Sequence, residues 1–213
     1  MALTTEQRVR RAAVKLFASK GFHGTGIRDL AQEAGISSAS LYHYMGTKED
    51  LLAGIMRECL ERLLLAARQA TDGVTDPRQR LATLVALHVR AHAQQPAETR
   101  VVDNEVQVLS RATRRRIVEL RDEYEQFWAD AIEDGIQQGV FATEEPAVTR
   151  LALVEMCNGV TRWYSPRGPL GLDHLARHYA GLALRMLDSG GEDCPAALDT
   201  ARRVVSTVWG TTL

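Results

Sequence analysis

The chain has 213 residues, 45% hydrophobic and 25% charged, which excludes wholesale disorder and leaves room for one domain or two small ones. Lys and Arg number 26 against 27 Asp and Glu, a net charge of −1 that excludes a globally basic nucleic-acid wrapper. Three scattered cysteines (Cys59, Cys157, Cys194) make neither a disulfide framework nor a zinc module, and no apolar run reaches the roughly 18 residues of a membrane span.

Helical periodicity dominates from end to end, so an all-α protein is expected. The first predicted helix starts near Thr4, with Gln7 three residues later as a capping box, and ends at Gly21. Thr25 is expected to cap a short second helix holding Ile27, Leu30 and Ala31, which stops at Gly35. Ser37 or Ser38 caps a third, through Leu41 to about Tyr44. Thr47 caps a long fourth helix from Lys48 to the region of Thr71. Pro77 opens a helix to about Gln94, and a shorter one is expected near 101–109. A long amphipathic helix follows over 113–138. Two more span 146–164 and 172–187. Gly190 and Gly191 mark a linker before a short docked tail helix containing Leu198, Ala201, Val205 and Val208.

The informative stretch is Thr25 to Leu51. Two short helices separated by Gly35 have helix-turn-helix spacing, with Ile36 and Leu41 expected to lock the crossing. The second of them offers Ser37, Ser38, Ser40, Tyr42, His43 and Tyr44. Short hydroxyls permit close approach to base edges, and aromatic hydroxyls reach phosphate oxygens. Lys48 stands at the next helix start, where free N–H groups already favour an anion. The first 50 residues carry +2 and the remainder −3, a modest bias in the same direction.

These residues resemble the TetR family of transcriptional regulators over about 5–52: Lys20-Gly21-Phe22, Thr25, Ile27, Ala31, Ala34-Gly35-Ile36-Ser37, Leu41-Tyr42-His43-Tyr44 and Lys48-Glu49-Asp50-Leu51. Tyr44 stands where Phe is common. The resemblance implies a homodimer on a palindromic double-stranded DNA operator. It puts Ser38, Ala39 and His43 nearest the bases, with Ser40 and Tyr42 beside them. Arg28 is near the backbone or groove edge, and Thr25, Tyr42, Tyr44 and Lys48 are on phosphates. It divides the chain into a helix-turn-helix DNA-binding domain (1–50), a helical ligand-binding and dimerisation domain (51–190) and a tail (191–213). Pairing falls to the helices at 146–164 and 172–187. The second of these carries an apolar surface, Leu175 to Leu187, too wide for one-sided burial.

Arg162-Trp163-Tyr164-Ser165-Pro166-Arg167-Gly168-Pro169-Leu170, with Asp103-Asn104-Glu105, is similar to regulators of steroid and fatty-acid catabolism that sense acyl-CoA thioesters. Val154 and Asn158 stand where such regulators carry Arg and Trp. Another acyl-CoA or a small hydrophobic acid therefore fits as well as a steroid thioester. The expected ligand residues are Glu105, Tyr124, Phe127, Trp128, Asn158, Arg162 and Trp163. His88/His92 and His174/His178 have metal-compatible spacing, but satisfied or solvent-facing histidines are the better reading. No cofactor, metal or membrane partner is expected, and no nucleophile elbow or phosphate loop points to an enzyme. The lack of an apolar signal core at the first residues points to a cytoplasmic protein. The competing reading is an architectural DNA-binding protein without a sensor.

Overall fold

A computed structural model describes residues 3–190 and 194–210, so the linker residue Gly191 lies outside the described residues. The described residues form helices and loops with no strand. In chain order they are α1 (Thr5–Lys20), α2 (Ile27–Ala34), α3 (Ser38–Met45), α4 (Lys48–Thr71), α5 (Pro77–Gln94), α6 (Pro96–Asn104), a 3-10 turn (Val106–Val108), α7 (Arg111–Gln137), α8 (Pro146–Asn158), α9 (Val160–Trp163), α10 (Leu172–Met186) and α11 (Pro195–Trp209). Among the described residues no helix is long and apolar enough to cross a membrane. The chain divides into two compact units, Met1–Leu60 with Ala97–Leu120, and Glu61–Pro96 with Arg121–Leu213. Residues 97–120 thus cluster with the N-terminal helices rather than with the rest of the C-terminal ones.

In the first unit, α1, α2 and α3 pack on one another. Val9, Ala12, Ala13, Leu16 and Phe17 supply the buried face of α1, Leu30, Ala31 and Ala34 that of α2, and Leu41 and Met45 that of α3. Ile27, Ile36 and Leu51 are only half-buried. The Thr4–Gln7 capping box forms as the sequence dictates. The expected cap on α2 does not. Thr25 is buried and gives its hydroxyl to the Gly21 carbonyl at 2.8 Å, while Gly26 takes the cap position and Asp29 closes the turn by accepting its N–H. Gly35 ends α2 at φ 67°, a left-handed conformation that glycine adopts without a Cβ penalty. Carboxylates at helix starts are held below their usual range: Asp29 by the Gly26 N–H, and Asp50 by the Thr47 N–H and hydroxyl.

The second unit is built on α5. Every residue from Leu81 to Ala93 is buried, so this stretch has no solvent-facing side. Helices α8, α9, α10 and α11 pack on it. The tail helix buries Ala197, Ala201, Val204 and Val205. Four polar residues are carried inside α5 and need internal partners. Thr83 bonds back to the Gln79 carbonyl at 2.7 Å. Arg90 pairs with Asp173 in the first turn of α10, and Arg202 of α11 lies 3.8 Å from the same carboxylate. The remaining two are His88 and His92.

Two expectations change here. The helix foreseen over 146–164 is broken at Gly159 into α8 and α9. The apolar surface foreseen for a partner on α10 is mostly used within the chain: Leu175, Ala176, Tyr179, Ala180, Ala183, Leu184 and Leu187 are buried. Met186, with Val148 and Leu151 on α8, stays exposed.

Candidate functional site

Helix α3 shows two different faces. Leu41 and Met45 anchor it inward, at 0% and 5% exposure. Outward it presents Ala39, Ser40, Tyr42, His43 and Tyr44, all exposed, with Ser38 half-buried at its first turn. Ser37 is the cap. Its Oγ accepts the Ser40 N–H at 3.1 Å and lies 2.9 Å from the Ser40 hydroxyl, so this pair shapes the helix start as well as lining it. The His43 and Tyr44 rings meet edge to face at 5.2 Å. Arg28 is exposed on α2. These residues face solvent within a packed three-helix unit, as a groove-reading helix needs.

Thr25 and Lys48 depart from the phosphate roles expected of them. The Thr25 hydroxyl is turned inside. Lys48 donates to the carbonyls of Phe22 and Thr25, each at 2.9 Å, with its ammonium 4.3 Å from the centre of the Phe22 ring. Two of its three donors are thus occupied by the loop between α1 and α2. This lysine ties the start of α4 to that loop. The sequence does not reveal this because the partners lie 26 and 23 residues away.

In the second unit, three of the seven residues expected at a ligand converge on His88, a residue not expected at the ligand. His88 Nε2 lies 2.8 Å from Asn158 Oδ1, and Nδ1 lies 3.0 Å from the Tyr124 hydroxyl. The Asn158 amide also donates to Glu155 at 3.4 Å, which orients its oxygen toward His88. The neutral imidazole then donates from Nε2 and accepts from Tyr124 at Nδ1. The His92 ring stacks on His88 at 3.9 Å, and Trp128 meets it edge-on at 5.6 Å. Trp128 is fully buried, and its indole N–H has no hydrogen-bond partner among the described residues. In a dry interior that is a costly donor.

Burial holds the His88 imidazole well below its ordinary value. Neighbouring His92 adds to this, and the bond to Asn158 partly opposes it. The unfolded chain therefore takes up a proton below about pH 6.5 that the folded chain refuses. The His88 contribution is fully present above that pH and is lost as the pH falls toward the folded value. The expected slope is at most about 1.4 kcal/mol per pH unit. Thermal melts between about pH 7.5 and 5 should show wild type losing stability on acidification, and His88→Gln losing less over the same range.

The other expected ligand residues lie elsewhere. Phe127 is half-buried on α7, while Arg162 and Trp163 are exposed, Trp163 stacking on Tyr179 at 6.4 Å. Glu105 belongs to the first unit, where a Cβ at Gly21 would stand 3.5 Å from its carboxylate. An open cleft of about 230 Å³ between α7 and α8, lined by Gln126, Ala129, Ile132, Glu133, Pro146, Ala147 and Arg150, contains none of the expected ligand residues. The ring nitrogens of His88 are both engaged, and His174 and His178 lie exposed with parallel rings at 6.4 Å. No cluster of three metal-ligating side chains occurs among the described residues.

Residues 9–55 match the bacterial regulatory proteins of the tetR family, and residues 74–187 match the tetracyclin repressor-like C-terminal domain. The HTH-type transcriptional repressor KstR2 of Rhodococcus jostii is 30% identical over 179 residues, which cover 83% of this chain and 88% of that protein. The solved structure of the ketosteroid transcriptional regulator KstR2 of Mycobacterium tuberculosis superposes with a TM-score of 0.79 at 26% identity, covering 87% of this chain and 95% of that one. PfmR, a TetR family regulator from Thermus thermophilus, gives 0.75 at 34% identity, covering 84% and 97%. The chain belongs to the TetR family of helix-turn-helix DNA-binding transcriptional regulators.

Proposed function

We propose that the protein is a homodimeric repressor that a small hydrophobic ligand releases from a palindromic operator in the cytoplasm. The ligand class favoured is an acyl compound, either a CoA thioester or a free acid. Ser38, Ala39 and His43 lie nearest the bases, Ser40 and Tyr42 flank them, and Tyr42, Tyr44 and Arg28 meet the backbone. With no Arg or Asn on α3, bidentate base readout is weak, and shape carries more of the specificity. Pairing uses the apolar residues left exposed on α8 and α10: Val148, Leu151 and Met186. The DNA-binding domain over 1–50 and the sensor and dimer domain over 51–190 are functional divisions.

The unpartnered Trp128 N–H beside His88 carries the ligand reading. It offers a desolvated donor to a carbonyl or carboxylate oxygen, next to the Tyr124–His88–Asn158 chain. Exposed Arg162 is available to a CoA phosphate. Ligand binding then favours a conformer with low operator affinity, and its effect is limited by its differential affinity for the two states. The reading without a sensor draws on one observation, that both His88 nitrogens are already satisfied internally.

Thermal shift with medium-chain acyl-CoA and the matching free acid separates these readings. A ligand at 100 times its Kd stabilises the fold by about 2.7 kcal/mol, and the same ligand should weaken binding to a duplex selected by the wild-type protein from a random pool. If neither compound raises the melting temperature or loosens DNA, the sensor reading gives way to the architectural one.

A further inference from the structure

Helix α7 begins against the grain of helix electrostatics. A helix N-terminus favours anions, yet the first turns of α7 carry Arg111, Arg114, Arg115 and Arg116, with no acidic residue in the first turn. Only Arg114 has an evident structural task, donating to the carbonyls of Gln107 and Leu109. Arg111, Arg115 and Arg116 are exposed. Arg115 pairs with Glu119 one turn on, at 3.1 Å, and the arginine side chain is 83% exposed, a pair that water screens heavily.

The position of this cluster is fixed by a contact inside the first unit. The Ser110 N–H, immediately before α7, donates to Glu49 Oε1 at 2.9 Å. Hydrogen bonds from Ser110 and Thr113 hold the Glu49 carboxyl below its usual range. Glu49 lies in the first turn of α4, three residues after Gly46 ends the reading helix α3. The arginine cluster therefore begins beside the start of α4, the element that follows the DNA-reading helix.

We infer that Arg111, Arg115 and Arg116 form a second DNA contact outside the helix-turn-helix, binding backbone phosphates of the bound duplex. Their partner is the phosphate charge of duplex DNA, and their contribution is independent of sequence. This inference rests on α3 engaging DNA. Cations at a position that disfavours them on stability grounds are explained by this work on the duplex.

The test uses the full chain with the three arginines replaced by glutamine, and a second variant with lysine in their place. Each is titrated by fluorescence anisotropy against the duplex selected by wild type and against a scrambled duplex, across a salt series. The glutamine variant should bind both duplexes about ten-fold more weakly, with a salt slope shallower by about 0.9 for each phosphate no longer neutralised. The lysine variant should keep most of the affinity. The melting temperature of the glutamine variant should be unchanged or raised, because like charges leave a positive helix end. Unchanged affinity and slope in the glutamine variant, with wild type binding normally, overturns the inference alone. A weakening confined to the selected duplex with an unchanged slope also overturns it, since phosphate binding does not discriminate between sequences. Wild type failing on every duplex would strike instead at the role given to α3.

Discussion

Leu41→Ala should destabilise the three-helix reading unit by about 2–5 kcal/mol, the usual range for emptying a buried leucine site. Leu41 has no exposed surface, and with Met45 it joins α3 to α1 and α2. Small helices owe most of their stability to such packing rather than to propensity, and α3 has only eight residues. The cavity therefore frees the reading helix itself. DNA binding should be lost at temperatures where the second unit, built on α5, stays folded. Circular dichroism melts alongside a mobility shift check this: an early transition with lost DNA binding is expected. A variant with wild-type melting and wild-type binding would show that α3 is held by something other than this leucine.

Trp128→Ala and Trp128→Phe should part company. Alanine removes a fully buried indole from α7, at a cost of about 3–5 kcal/mol. Phenylalanine keeps an aromatic ring against His88 and removes an N–H that has no partner among the described residues. The phenylalanine variant should therefore stay within about 1.5 kcal/mol of wild type. It should nevertheless lose most of the acyl-ligand stabilisation, since the donor proposed for the ligand oxygen has gone. Calorimetric unfolding with and without the ligand reads both effects. Full ligand stabilisation in Trp128→Phe would contradict a role for the indole N–H in recognition.

The features readable in the sequence are the local ones. Thr4 with Gln7, Ser37 as the cap of α3, and Thr47 with Asp50 all close within three residues, and a short window captures them. Thr25 misleads because the cap role passes to the next residue, where a glycine backbone and Asp29 supply the same bonds. The tie from Lys48 to the carbonyls of Phe22 and Thr25 is invisible because it depends on how α4 meets a distant loop. His88 is the most informative departure. Its partners come from α7 and α8, 36 and 70 residues away. A signal does exist: the unbroken apolar run Leu84-Val85-Ala86-Leu87 leaves no polar face just before His88, so a histidine there is expected to be buried and paired. Spacing to His92 draws attention to metal chemistry, while the helix around the pair already points to a desolvated core.

The most direct measurement is a mobility shift on the selected duplex with Tyr42 and His43 both changed to alanine, at matched helicity and melting temperature. Both side chains are exposed on α3, outside the packed core of the three-helix unit. The double variant should remain folded and lose both affinity and preference for the selected over the scrambled duplex. A folded double variant that binds the selected duplex as tightly and as selectively as wild type would contradict α3 as the reading helix.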